Sequence, residues 1–234
     1  AREYTLAKAD PYPLKTYVAH EEAKVRRDVF GELLEELADV GEEEHFFLSL
    51  IVRPHQRERR HLWSVAADTL HEAAHDEIKK IVGVSGDLRN VSEKAKSIIH
   101  TIEEALKKPS FDCGARVLYL APRKSFSEER ARSLDALLSR FNDQDLNGFV
   151  AYDPRRRTGW FLSEFFAVAS PLSMEYLLNL YRRRAFFYPP YYGKRFVLNT
   201  EELATVFHIP HITRASALAR MRGMHLEPPE NLPV

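Results

Sequence analysis

The chain has 234 residues, and its 34 lysine and arginine residues balance its 34 aspartate and glutamate residues, so the formal net charge is zero. This balance excludes a general electrostatic attraction to nucleic acid or to acidic membranes. Hydrophobic residues make up 44% of the chain and charged residues 29%, which is the composition of a folded globular domain. The single cysteine, Cys113, excludes an internal disulfide.

The N-terminal part of the chain alternates apolar runs of the strand and helix types. In chain order these runs predict a strand at Tyr12–Val18, a helix at Arg26–Val40, a strand at Phe46–Val52 and a helix at Leu62–Val82. The helices are predicted from apolar residues that recur every three or four positions. The strand Phe46–Val52 is apolar on both faces apart from Ser49, which favours a central position in a sheet.

The rest of the chain continues this alternation after a turn-rich break at Gly83–Asn90. The predicted elements are a helix around Ile98–Leu106, a strand at Val117–Leu120, a helix capped by Ser127 that carries Leu134–Phe141, a strand at Gly148–Tyr152, a helix at Leu172–Phe186 and a strand at Phe196–Leu198. Ser170 and Pro171 supply a cap and a first-turn proline for the helix at Leu172–Phe186. Tyr188–Gly193 predicts a rigid aromatic connection or a docking surface for a partner.

Strands that alternate with helices, with few obligatory parallel crossovers, predict an α+β fold with a layered mixed sheet. The turn-rich break favours two ferredoxin-like halves, at 1–86 and 87–212, followed by a linker at 213–234. A chain of this length is long enough to bury a core for such a fold.

The best-defined local signal is a strand–helix corner that follows Phe196–Leu198. Asn199 or Thr200 can cap the helix, and Glu201 and Glu202 place negative charge in its first turn. If Asn199 is the cap, Glu202 falls at the reciprocal position of a capping box. An apolar face and a proline stop complete the corner, formed by Leu203, Val206, Phe207 and Pro210.

The same corner carries a resemblance to a known family. The string Leu-Asn-Thr-Glu-Glu-Leu-Ala-Thr-Val-Phe-His-Ile-Pro, Leu198–Pro210, resembles the junction that closes an N-terminal α/β domain before the motor of conjugative DNA-transfer, type IV secretion-type ATPases. Residues Glu227–Val234 resemble the linker that leads into that motor. Further blocks of the resemblance are Phe46–His55 followed by Trp63, Ala115–Pro122 and Asn147–Phe149.

The resemblance implies a non-catalytic adaptor domain that couples a membrane anchor, neighbouring subunits and the motor. It implies a location on the cytoplasmic side of the cell membrane, with the anchor outside this chain and an ATPase domain downstream. ATP and magnesium would then bind only in that downstream domain, because the sequence contains no G-x-x-x-x-G-K-[ST] phosphate-binding loop. Other implied partners are further copies of this chain and DNA. The residues implied at the junction are Asn199, Glu201, Glu202, Leu203, His208 and Pro210.

One motif supports a different class of function, a zinc-dependent hydrolase. His71-Glu-Ala-Ala-His75 matches the H-E-x-x-H pattern, in which two histidines bind zinc and the glutamate acts as a general base. However, Asp76 follows directly, and helical spacing turns Glu72 away from the apolar stripe that contains Ala74. The sequence therefore favours a solvated helix surface, with His71 and His75 as the alternative metal ligands.

Clusters of basic residues support a third class, a stand-alone nucleic-acid-binding module. The clusters are Arg155, Arg156 and Arg157; Arg182, Arg183 and Arg184; and Arg53, Arg57, Arg59 and Arg60 with His55 and His61. Phosphate or anionic-lipid contacts require such cations to converge on one surface, and interleaved aromatic residues can stack on unpaired bases. The alternative is that these arginines lie in solvated faces and loops, which the zero net charge favours.

Overall fold

The structure is a computed structural model that describes residues 1–16, 41, 43–55, 69–83, 91–154, 173–189 and 191–208. The strands within these ranges are β1 (Arg2–Leu6), β2 (His45–Pro54), β3 (Ser110–Leu120), β4 (Phe149–Tyr152) and β5 (Phe196–Asn199). The helices are α1 (Thr69–Val82), α2 (Glu93–Leu106), α3 (Glu128–Ser133), α4 (Met174–Arg182) and α5 (Thr200–Val206), with a short 3-10 helix at Ser139–Phe141.

The five strands form one sheet in which every observed pairing is antiparallel. β3 lies at its centre and has three partners. β2 runs along one edge of β3 from Phe111 to Leu120. On the other edge β1 pairs with residues 115–117 and β5 pairs with residues 110–113, so these two strands lie end to end. β4 pairs with the far side of β1.

This architecture confirms the predicted α+β class. The strands β1 and β2 from residues 1–86 pair with β3 and β4 from residues 87–212, so both ranges contribute to the same sheet. The linker range 213–234 lies outside the described residues. Among the described helices, none is long and apolar enough to cross a membrane.

One face of the sheet carries the main apolar core. The 3-10 helix and the residues just before it, α5 and the N-terminal segment near Leu14 cover this face. Its buried side chains are Tyr4, Leu6, Leu14, Cys113, Ala115, Val117, Tyr119, Leu134, Leu137, Leu138, Phe141, Phe149, Phe196, Leu198 and Val206. Burial of this apolar surface supplies most of the favourable free energy of folding.

The opposite face is also covered, but it contains charged side chains. On β3 this face bears Asp112, Gly114 and Arg116, which alternate with the apolar residues of the first face. This face is covered by α4 and by the residues that follow α4. We call the following residues, 185–189 and 191–195, the aromatic loop. The ring of Phe186 lies directly on Gly114, where a Cβ atom would be 2.2 Å from the ring, so only glycine allows this contact.

α1 and α2 pack against each other near the end of the sheet where β5 begins the corner. Their buried apolar residues are Leu70, Ala74, Ile99 and Ile102. Ser92 caps α2, because its hydroxyl accepts a hydrogen bond from the Ala95 N–H at 3.3 Å. The predicted helix positions 62–68 lie outside the described residues.

Two predicted strands are corrected by the structure. Residues 12–16 of the predicted strand Tyr12–Val18 have no strand structure, and the first strand is instead β1 at Arg2–Leu6. Phe46–Val52 is confirmed as part of β2, but β2 pairs only with β3 among the described strands and is therefore an edge strand there. The apolar pattern on both faces of β2 arises because helices cover both faces of the sheet.

Two predicted helices are shorter than expected. α3 begins after the predicted cap Ser127 but ends at Ser133, where the Ser133 hydroxyl donates to the Arg130 carbonyl at 2.8 Å and competes with helical bonding. α4 is capped by Ser173 and ends at Arg182, not at residue 186. The predicted cap at Ser170 and Pro171 and the predicted helix at 26–40 lie outside the described residues.

Candidate functional site

The strand–helix corner predicted from the sequence is built by β5 and α5. Asn199 is the cap, and its side-chain oxygen accepts hydrogen bonds from the N–H groups of Glu201 at 2.9 Å and Glu202 at 3.0 Å. The Glu202 carboxylate accepts in return from the Asn199 N–H at 2.7 Å. The capping box is therefore confirmed, with Asn199 rather than Thr200 as the cap.

The corner is tied to the N-terminal segment of the chain. The second carboxylate oxygen of Glu202 accepts from the Leu14 N–H at 2.6 Å, and Glu201 bonds the Thr16 hydroxyl at 2.7 Å and pairs with Lys108. Burial raises the pKa of Glu202 to about 7, although the hydrogen bonds from Asn199 and Leu14 act to lower it. These contacts make α5 an integral part of the domain.

A groove of about 650 Å³ lies beside this corner, along the edge of β2. One wall is the end of α4, with Tyr181, Arg182 and Arg184. The other wall is α5 and the residue after it, with Leu203 and Phe207. The groove therefore brings together members of two sets that the sequence predicts separately, Arg182 and Arg184 of the second arginine cluster and Leu203 of the junction.

The floor of the groove is the edge of β2. The N–H of His55 donates to the carbonyl of Ser110 on β3, and β-strand pairing alternates, so the odd-numbered residues of β2 bond to β3. The main-chain groups of the even-numbered Leu48, Leu50 and Val52 consequently point away from β3, into the groove. Pro54 is also an even-numbered position of β2, so the N–H that proline lacks would point away from β3 and is not required for pairing.

Hydrophobic and basic side chains are both exposed around this edge. Val52 is 41% exposed and Phe207 is 57% exposed, so Phe207 does not complete the buried face of α5 that the sequence predicts. Arg182, Arg183 and Arg184 are exposed, and none of them forms an ion pair with another described residue. Of these three arginines, Arg182 and Arg184 line the groove, whereas Arg183 does not.

The position of Arg184 is set by the end of α4. The N–H of Arg184 bonds the Tyr181 carbonyl at 3.0 Å and the N–H of Ala185 bonds the Leu180 carbonyl at 2.9 Å, the pattern of a Schellman motif. Arg184 has a φ of 52°, a left-handed conformation in which glycine is the usual residue. An arginine at this position is therefore strained.

We expect Arg184→Gly to raise the free energy of unfolding by about 1 kcal/mol, because it relieves the left-handed strain. Urea unfolding of the variant and the parent chain measures this difference. Arg183→Gly is the matched control, since Arg183 has a helical φ of −83° and glycine there should destabilise the chain by about 0.5–1 kcal/mol. Equal effects of the two substitutions would contradict the strain at Arg184.

Asp112 organises a second cluster, on the charged face of the sheet. It is fully buried and accepts hydrogen bonds from Arg53 at 2.9 Å and Arg195 at 3.0 Å, with the Nδ1 of His55 at 2.7 Å. Burial acts to raise the pKa of Asp112, but the contacts with His55, Arg53 and Arg195 outweigh it and hold this pKa below its usual range. Arg53 and His55 therefore bind the buried carboxylate of Asp112 and do not form a solvated cluster.

A second buried ion pair lies four residues farther along β3, on the same face. Arg116 donates from Nε and Nη2 to one oxygen of Glu3, at 2.8 and 2.6 Å. The other oxygen of Glu3 accepts from the hydroxyls of Tyr152 at 2.6 Å and Tyr191 at 2.7 Å. Burial and the neighbouring Glu3 raise the pKa of Tyr152, which keeps its hydroxyl protonated as a donor. The aromatic loop thus encloses a structural charge network.

The remaining predicted site residues have other surroundings. His71, Glu72 and His75 are exposed on α1, and in the described part of the chain no group of three histidine, cysteine or acidic side chains could hold a metal ion. Burial raises the pKa of Cys113 to about 12, so its thiol is not activated. His208 bonds the Ala204 carbonyl at 3.1 Å. The residues outside the described ranges are Arg57, Arg59, Arg60, His61, Arg155, Arg156, Arg157 and Pro210.

A comparison with protein families finds a model that matches most of the chain. The model of a family described as "Domain of unknown function (DUF8128)" matches residues 3–216, which include the groove and the five described strands apart from Arg2, the first residue of β1. The chain belongs to this DUF8128 family. No curated protein matches the chain, and no solved structure matches it. The DUF8128 family description states no activity, so function must be argued from the site.

The sequence did not reveal the floor of the groove or the buried ion pairs of this DUF8128 domain. A signal for the edge position of β2 was present in Pro54, because proline within a sheet favours an edge strand. No comparable local signal marked Glu3 and Arg116, since their partnership depends on the pairing of β1 with β3.

Proposed function

We propose that this chain is a non-catalytic adaptor domain of a DNA-transfer ATPase, which couples a membrane anchor, neighbouring subunits and a downstream motor. The resemblance of Leu198–Pro210 to the junction of such ATPases is the origin of this proposal. The supporting structural observation is the hydrogen bonding of the corner, in which Asn199 and Glu202 join α5 to the sheet and Glu202 also joins it to Leu14.

A corner joined in this way suits a coupling role. The predicted linker at 213–234 would then start from a fixed helix, which gives it a defined attachment point for the movement of the motor, whereas a flexible attachment would not transmit that movement. Glu201 adds further ties to Lys108 and Thr16, so that force on α5 is distributed to the start of β3 and to the N-terminal segment.

The experiment uses the full gene product and a flexible glycine–serine segment inserted after His208. In the proposed function this insertion leaves ATP hydrolysis by the motor intact but abolishes DNA transfer, because the corner no longer moves with the motor. The matched control carries the same insertion after Arg123, in the exposed turn that follows β3, and retains transfer.

Two results would contradict the proposal. One is a gene product without a nucleotide-binding motor after this domain. The other is normal DNA transfer in the variant with the insertion after His208.

A further inference from the structure

We propose that the groove beside β2 binds an extended acidic segment of a partner protein, which adds a strand to the sheet. This inference does not depend on the presence of a downstream ATPase. The partner segment would form main-chain hydrogen bonds with Leu48, Leu50 and Val52. Its acidic side chains would pair with Arg182 and Arg184.

The main chain provides the first argument. Three consecutive outward-facing residues of β2, Leu48, Leu50 and Val52, offer three N–H donors and three carbonyl acceptors to the groove. A strand edge with outward N–H and C=O groups is a template for another strand, and sheet proteins usually block it with charge, bulges or cover. β2 is ten residues long and contains its proline only at the last position.

The side chains around the edge define the partner's sequence pattern. A strand that pairs with β2 directs alternate side chains to the two faces of the sheet. On one face it meets Leu203 and Phe207 of the α5 wall, which suits apolar residues. On the other face it meets Arg182 and Arg184 of the α4 wall, which suits aspartate or glutamate. The predicted ligand therefore alternates apolar and acidic residues.

Charge argues against two other occupants. Antiparallel pairing of β2 with β2 of a second copy would bring both copies of Arg182 and Arg184 to the same side of the joined sheet, which like-charge repulsion disfavours. Nucleic acid would place its phosphates beside the apolar α5 wall, and among the described lining residues Arg182 and Arg184 are the only cations that could neutralise them.

The test measures binding of the 234-residue chain to a capped, fluorescently labelled peptide of alternating valine and glutamate. We expect the double variant Arg182→Glu/Arg184→Glu to weaken this binding by about tenfold or more. Arg183→Glu is the control, because it makes the same type of substitution within this arginine cluster, at the one of the three positions that does not line the groove, and should bind as the parent chain does. A peptide of alternating valine and lysine should not bind.

The main-chain mode is tested separately from charge. Val52→Pro removes an outward N–H but leaves the bonds between β2 and β3, and it repeats the register of Pro54, so the fold should persist. We expect this variant to lose peptide binding. In the parent chain, hydrogen exchange at the amides of Leu48, Leu50 and Val52 should slow when the acidic peptide is added, whereas the amides of Ser49 and Ile51 should already exchange slowly.

Several results would overturn the proposal. These are undiminished binding by Val52→Pro, equal weakening by Arg183→Glu, and equal binding of the lysine peptide. If hydrogen exchange at the amides of Leu48, Leu50 and Val52 slows as the protein concentration rises, without any peptide, the groove binds a second copy of the chain. Protection of the same amides by single-stranded DNA would assign it to nucleic acid.

Discussion

Arg116→Met should lower the free energy of unfolding by about 3–5 kcal/mol, because it leaves the Glu3 carboxylate buried without its cation. Glu3 is 0% exposed and Arg116 is 1% exposed, so water cannot replace the lost partner. The substitution also removes the guanidinium that lies 5.2 Å from the ring centroid of Tyr191 and 5.6 Å from that of Phe186. Urea unfolding of the variant and the parent chain measures the loss.

The double variant Glu3→Gln/Arg116→Met separates the effect of charge from that of packing. It removes both charges, and the glutamine carbonyl can still accept from the hydroxyls of Tyr152 and Tyr191. We therefore expect the double variant to be more stable than Arg116→Met alone, which is a favourable coupling in a double-mutant cycle. Additive losses from the two substitutions would show that Glu3 and Arg116 do not interact as the structure describes.

The stability of the chain should fall as the pH rises from about 4.5 to about 7, through the titration of Glu202. The pKa of Glu202 is raised from 4.5 in the unfolded chain to about 7 in the folded chain, so the unfolded state releases this proton first and gains stability over this interval. The contribution is fully present below pH 4.5 and is lost above pH 7. It amounts to about 3 kcal/mol, since one pKa unit corresponds to about 1.4 kcal/mol.

Urea unfolding at a series of pH values tests this effect by comparing the parent chain with Glu202→Gln, which should lose the fall between pH 4.5 and 7. Glu201→Gln is the matched control with the opposite sign. Burial acts to raise the pKa of Glu201, but its contacts with Lys108 and Thr16 outweigh burial and lower it, so this group stabilises the fold above its unfolded pKa. A pH profile unchanged by Glu202→Gln would contradict the raised pKa.

The sequence predicts the strand–helix corner well because all of its signals are local. Asn199 and Glu202 are three residues apart, and the hydrogen bonds of a capping box join only such neighbours. The cap Ser127 is also confirmed for this reason. By contrast, the strand β1 is missed because its pattern contains Glu3, a charge that is buried only through a partner 113 residues away.

The groove could not be predicted for a related reason. Its arginines and its α5 wall are visible in the sequence as separate sets, but their meeting depends on which strand lies at the edge of the sheet. The apolar run of β2 indicates burial on both faces and predicts a central strand, whereas β2 lies at the edge among the described strands. Pairing order within a sheet is decided by distant residues, as β1 and β5 show by sharing one edge of β3.

The shared edge of β3 has a consequence for synthesis on the ribosome. Residues 110–113 of β3 have no strand on that edge until β5 has been made, almost ninety residues later. The bond between Leu14 and Glu202 spans 188 residues, so the N–H of Leu14 lacks this partner until Glu202 has been made. Contacts between residues so far apart in the sequence slow folding and leave intermediates that are prone to aggregate. We expect this domain to depend on chaperones that hold growing polypeptides.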